Sequence, residues 1–211
     1  ETEFLNLPKS LSCYGFPIRE YDNKIPSNLT AEQILIRSGN IGSVRIAQKI
    51  GPEKFKTFLE KVGVLSQITF DIEEVAPQKN YEFSKCKLAT ASYGHGIATT
   101  ILQLAKGYAI LSNGGFEINP TLINKNLEKH AKGKRLLNKG VSEQVVSALR
   151  KIVSTEEGTA KLANVPNYEI GGKTGTADKV LDGVYSEGKV NTFASIFPTS
   201  NPKFVFVVML D

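Results

Sequence analysis

An α+β fold, a helical body followed by a three-strand antiparallel meander, is predicted by a change of hydrophobic period near Pro166. Before that point, apolar residues recur at helical spacing in segments bounded by capping and breaking residues. After it, "YEIGGKTGTA", "NTFASIFP" and "KFVFVVML" alternate or run apolar over strand lengths, and "TSNP" between the last two is a tight-turn sequence. The 211 residues are enough to bury a sizeable core, and 41% hydrophobic with 22% charged residues is ordinary globular usage. The predicted organisation is an irregular lead-in over 1–26, a mainly helical part over 27–165 and the meander over 166–211.

The elements follow in order. The lead-in shows no clear period, and its "YGFP" and "NKIP" read as loop and turn. Thr30 stands three residues before Gln33, a capping box that starts a helix near Ala31. That helix stops at Ser38-Gly39-Asn40, and "IGSVRIAQKI" resumes helically. Gly51 ends this piece, and Pro52 opens a third with Phe55, Phe58, Leu59 and Val62 on one face. Residues 64–97 read as irregular and polar. A helix follows, capped by Thr99 or Thr100 and ended by Gly114-Gly115. Ser142 is predicted to begin the next, with Val145, Val146, Leu149, Ile152 and Val153 apolar.

Composition excludes several functions. The net charge is +5, but 26 basic residues are interspersed with 21 acidic ones. The densest basic run, Lys129 to Arg135, has no interleaved aromatic residues, so it reads as a solvated loop and not as a nucleic-acid surface. No uninterrupted apolar run reaches membrane-spanning length; the longest strong one is Phe204 to Leu210. Cys13 and Cys86 form no paired ligand spacing, and with only His95 and His130 besides, neither a metal nor a cofactor site is expected. Two unpaired thiols are the default reading; one disulfide in an oxidising compartment is the alternative.

The sharpest question is Gly172-Lys173-Thr174. A P-loop requires glycine at 167, where Asn167 stands, and a helix directly after the lysine. Gly175, Thr176 and a polar stretch follow instead, so the P-loop fails. A strand suits these residues: Tyr168 and Ile170 alternate with Glu169, and Gly171, Gly172 and Gly175 let another backbone or a substrate approach. Lys173, Thr174 and Thr176 beside a groove would receive a carboxylate. A glycine-rich edge strand with an incidental lysine explains the segment equally well. Ser38-Gly39-Asn40, between two helices, is likewise ambiguous, since Asn40 could simply cap the helix beginning at Ile41.

Taken together, "LTAEQILIRSGNIGSVRIAQKIG", "SYGHGIATTILQLAKGYAILSNGG" and "VPNYEIGGKTGTADK" resemble, in this order, the transpeptidase domain of class B penicillin-binding proteins. "SYGHGI" and "RSGNIG" are most similar to the division-specific septal type. The resemblance runs from about Phe16 to Asp211 and rests on the Ser-x-Asn and Lys-Thr-Gly motifs of that family. It implies the penicillin-binding-protein and serine β-lactamase-like fold, in incomplete form, with about three of its five sheet strands.

The family's nucleophile is the serine of Ser-x-x-Lys, upstream of Ser-x-Asn. "SKCK" from Ser84 and "SEGK" from Ser186 fit the spacing, but they lie downstream and neither reads as opening an apolar-faced helix. The chain is therefore expected to be a non-catalytic fragment beginning after the true motif. For the parent, the resemblance implies serine acyl transfer on stem peptides ending in D-Ala-D-Ala, and acylation by β-lactam antibiotics. Ser38 would relay a proton while bonded to Lys173, Asn40 would hold the substrate amide, and Lys173, Thr174, Gly175 and Thr176 would form the carboxylate and oxyanion site. The resemblance assigns His95 no role, and no acidic partner is apparent for either histidine, so a Ser-His-Asp triad has no support. Divisome partners, no nucleic acid, and the periplasmic face of the bacterial inner membrane, with an anchoring helix outside this chain, are further expectations. Self-association through an uncovered sheet is expected of the fragment. The alternatives are a non-catalytic scaffold of the same fold, or a D,D-carboxypeptidase or serine β-lactamase relative.

Overall fold

The computed structural model describes residues 2–68, 71, 81–123, 133–181 and 184–211. The lead-in is more ordered than its sequence suggests. Strands β1 (Glu3–Phe4), β2 (Ser10–Cys13) and β3 (Phe16–Arg19) fall within it, and β4 (Leu29–Thr30) pairs antiparallel with β1. β2 and β3 form a hairpin through Tyr14 and Gly15, both in the left-handed region at φ 48° and 85°. Two such residues give the turn a twist that matches the strands.

The capping signals hold. Thr30 Oγ1 accepts from Gln33 N while Gln33 Oε1 accepts from Thr30 N, and α1 runs Ala31–Ile36. α2 (Asn40–Ile50) and α3 (Pro52–Lys61) follow, separated by Gly51. Asn40 does not cap α2; it is the first helical residue and Gly39 stands at the cap. Helix α4 (Lys85–Ala91) forms inside the stretch read as irregular, with Leu88, Ala89 and Ala91 buried. The expectation that Ser84 opens no apolar-faced helix is therefore corrected: Ser84 caps α4. Thr100, not Thr99, caps α5 (Ile101–Ser112). α6 (Lys139–Ser154) starts earlier than Ser142, because Asn138 supplies the cap. Ser142 is instead a buried brace: its Oγ donates to Leu111 O at 2.6 Å and accepts from Gly114 N at 3.1 Å.

Strands β5 (Gly171–Leu181), β6 (Val184–Phe197) and β7 (Phe204–Leu210) make the predicted meander, in spatial order β5-β6-β7. β5 begins three residues later than its alternation implied. Residues 166–168 form a turn, Asn167 and Glu169 take φ of 70° and 47°, and Glu169 O accepts from Thr199 N. One core lies between α6, α1 and the sheet, built from Ile36, Leu149, Ile152, Val153, Ala160 and Ile196. A second joins the hairpin to α2 and α4 through Ile18, Ile41, Val44 and Ala89. Fully burying each Ile, Leu or Val side chain among these contributes about 1.5–3 kcal/mol.

The second core corrects the cysteine reading. It seats β2 on α4, bringing Cys13 and Cys86 to 5.6 Å between Cα atoms, and the two are joined in a disulfide. A separation of 73 residues carries no trace of this contact in the sequence. Of the basic run, 129–132 lie outside the described residues; Arg135 packs over the Phe116 ring and donates to Gly114 O. No described helix is long and apolar enough to cross a membrane, and no group of three or more described His, Cys, Asp or Glu could hold a metal ion.

Candidate functional site

The site begins where α1 ends. Ser38 N donates to Leu35 O and Gly39 N to Ile34 O, the paired bonds of a Schellman turn. The residue after the C-cap must then be left-handed, a position that favours glycine. Here it is Ser38, at φ 56°. A left-handed L-residue costs about 1–2 kcal/mol, and such strain persists where the surroundings enforce it. It aims the hydroxyl across the molecule.

The hydroxyl meets β5. Lys173 Nζ donates to Ser38 Oγ at 2.7 Å, across 135 residues of sequence, and to Thr174 O at 2.8 Å. Burial lowers the Lys173 ammonium from 10.5 to about 8. At pH 7 about one molecule in ten then carries it as a free amine. The two residues line a cleft of about 730 Å³ together with Asn40, Thr174, Gly175 and Thr176, so all six predicted site residues fall at one place.

Their neighbours define how each is held. Thr174 Oγ1 donates to Thr159 Oγ1, and Thr176 Oγ1 to Asn191 Oδ1, both at 3.1 Å. The three glycines divide by purpose. A Cβ at Gly171 would strike Thr199 and the α6 backbone, and one at Gly172 would strike Ala194 O and the Phe193 ring. Gly175 has only Thr192 near, at 4.0 Å, so it leaves open space in the cleft wall. β5 is the edge of the sheet, and alternate N–H groups along it point away from β6. Asn40 Nδ2 donates to Arg19 O at 2.9 Å.

Several contributors escaped the sequence reading. Glu20 and Tyr21 support the Ser38 turn from the lead-in, 16–21 residues upstream of the groups they hold, where no local pattern marks them. His95, given no role, lines the cleft, with its ring centroid 5.1 Å from that of Tyr93. The Asp178 carboxyl is held low chiefly by its bond from Lys189, with His95 a minor contributor. His130 lies outside the described residues.

The Ser-x-x-Lys strings sit elsewhere. Ser84 and Lys87 are exposed on α4. Ser186 is on β6, not in a connector, and Lys189 pairs with Asp178. A third string with this spacing, Ser200 to Lys203, occupies the β6–β7 turn, where Ser200 N donates to Glu169. None of these serines lines the cleft.

Comparison with known proteins places the chain in a family. Residues 5–211 match the penicillin binding protein transpeptidase domain, and the chain belongs to that family. Within it the similarity is to class B members of the FtsI and PBP3 type. The chain is 32% identical over 213 residues to a peptidoglycan D,D-transpeptidase FtsI homolog of Mesostigma viride, covering 88% of this chain and 36% of that protein. It is 28% identical over 193 residues to a probable peptidoglycan D,D-transpeptidase FtsI of Caulobacter vibrioides, covering 87% and 33%. Among solved structures, the apo transpeptidase domain of Burkholderia pseudomallei penicillin-binding protein 3 superposes with a TM-score of 0.91 at 26% identity, over all of this chain and 64% of that one. Penicillin-binding protein 3 of Mycobacterium tuberculosis in complex with aztreonam gives 0.86 at 25%, over 99% and 51%. The chain thus spans about a third of the length of these curated relatives.

Proposed function

We propose that this chain carries the carboxylate-receiving part of a peptidoglycan D,D-transpeptidase site, and that a Ser-x-x-Lys segment outside residues 1–211 supplies the nucleophile. The observation that carries the reading is the Lys173–Ser38 bond inside a cleft also lined by Asn40, Thr174 and Thr176. The similarity to peptidoglycan D,D-transpeptidases and the aztreonam and ampicillin complexes of the structural neighbours support the same substrate and inhibitor classes.

In this reading a stem peptide ending in D-Ala-D-Ala places its terminal carboxylate against Lys173, Thr174 and Thr176, one cation and two hydroxyls in a partly desolvated cleft. The nucleophile serine attacks the penultimate carbonyl carbon and gives its proton to the Ser-x-x-Lys amine. Asn40 holds the substrate amide, and the Thr176 N–H on the sheet edge faces the developing oxyanion. The C–N bond breaks as Ser38, bonded to Lys173, passes its proton to the departing D-alanine nitrogen and takes up in its place the proton held on the Ser-x-x-Lys amine. An amine from a neighbouring stem peptide then attacks the ester, forming the cross-link and restoring the serine. β-Lactams, which imitate the D-Ala-D-Ala end, acylate the same serine. Residues 1–211 alone are non-catalytic. The parent works in septal wall synthesis with divisome proteins, on the periplasmic face of the inner membrane.

Acylation of the longer protein by a fluorescent penicillin tests this reading. Labelling that falls about 100-fold in rate for Lys173→Ala and also drops for Thr176→Val supports it. Undiminished labelling of the Lys173→Ala protein overturns it.

A further inference from the structure

We propose that Glu20 is a positioning residue for this site: its carboxylate grips the start of α2 and thereby sets the Ser38–Gly39–Asn40 turn against Lys173. The inference rests on the transpeptidase reading given above. Helix α2 has no cap of its own, because Gly39 at the cap has no side chain and makes no capping bond. Glu20 supplies one from 20 residues upstream. Its two oxygens accept separately, Oε2 from Asn40 N at 2.6 Å and Oε1 from Ile41 N at 3.0 Å. A carboxylate at a helix N-terminus is favoured both by the orphan N–H groups and by the helix dipole.

The same short segment holds the rest of the turn. Arg19 O accepts from Asn40 Nδ2, and Tyr21 Oη donates to Arg37 O at 2.9 Å. Residues 19–21 therefore grip both flanks of a turn whose central serine is strained. Without that grip the left-handed Ser38 is free to relax, and its hydroxyl then leaves Lys173. Burial pushes the Glu20 carboxyl up, against the opposing pull of the two N–H bonds. A partly buried carboxylate devoted to two backbone groups beside the cleft does more than a surface acid would.

A cap that served only stability would make the same bonds, so the test must separate the two. In the longer protein carrying the Ser-x-x-Lys serine, rapid-mixing kinetics with a chromogenic β-lactam resolve the non-covalent dissociation constant from the acylation rate constant. The variants are Glu20→Ala, Glu20→Gln and Val44→Ala; the last loosens the same buried cluster without touching the turn. Glu20→Ala is expected to lower the acylation rate constant by roughly 10–100-fold with the dissociation constant little changed, as a misplaced reacting group does. Glu20→Gln, which keeps one acceptor oxygen, recovers part of the rate. Val44→Ala lowers the melting temperature and leaves the rate constant alone. Wild-type acylation together with an unaffected Glu20→Ala protein, or a Glu20→Ala loss no larger than that of Val44→Ala, overturns the positioning role while leaving the transpeptidase reading intact. A wild-type protein that is not acylated at all overturns both.

Discussion

Replacing Ser38 by alanine probes the contact on which the cleft is organised. The Lys173 ammonium donates to Ser38 Oγ and Thr174 O, and burial has already brought it from 10.5 to about 8. A hydrogen bond from a charged donor contributes about 1.5–3 kcal/mol, and about 1.4 kcal/mol corresponds to one pH unit. Removing the Ser38 acceptor disfavours the charged form, so the Lys173 midpoint should fall by about one pH unit, to about 7. The assay is NMR of the chain labelled with ¹⁵N at lysine Nζ, titrated from pH 6 to 11 in wild type and Ser38→Ala. Stability gives a second readout. A lysine depressed in the fold binds fewer protons than in the unfolded chain between its two midpoints, so stability should rise with pH from about 8 toward 10.5, by up to about 3 kcal/mol. The Tyr108 phenol, pushed up to about 12 by burial, acts oppositely above its ordinary value of 10, so pH 8–10 is the clean window. Equal Lys173 midpoints in the two proteins, or a wild-type midpoint near 10.5, would refute the reasoning.

Three further outcomes are expected. Ser38→Gly should be more stable than Ser38→Ala by about 1 kcal/mol in urea unfolding, because both lose the hydroxyl but only alanine retains the left-handed penalty; equal midpoints would contradict the strain. Reducing Cys13–Cys86 should cost about 4 kcal/mol by releasing a closure of 73 residues, read as a lowered urea midpoint under a phosphine reductant, and an unchanged midpoint counts against it. Strand β7, at the sheet edge, exposes Phe204 (57%) and Leu210 (66%), so sedimentation at rising concentration should show dimers; a monomer throughout denies self-association by this edge.

What the sequence revealed follows the range over which each signal acts. The Thr30–Gln33 box, the Gly51-Pro52 break and the Thr100 cap are local chemistry, and the helices begin and end by them. Helix α4 was hidden because seven residues hold too few apolar positions to show a period. Ser142 looks in sequence like a cap, although its buried hydroxyl braces Leu111 and Gly114 inside the helix. The disulfide and the Glu20 grip are contacts between distant segments, and no spacing rule reaches them. The meeting of Ser38 with Lys173 was expected only through the family resemblance, since the residues alone left both motifs ambiguous.

Residues 1–211 are proposed to hold the receiving half of a site whose nucleophile lies outside them. Peptide mapping after β-lactam treatment tests it most directly, on the longer protein and on the 211-residue chain in parallel. One adduct is expected on the longer protein, on the serine of a Ser-x-x-Lys segment outside this stretch, and none on the 211-residue chain. An adduct on Ser84, Ser186, Ser200 or Ser38 would contradict it.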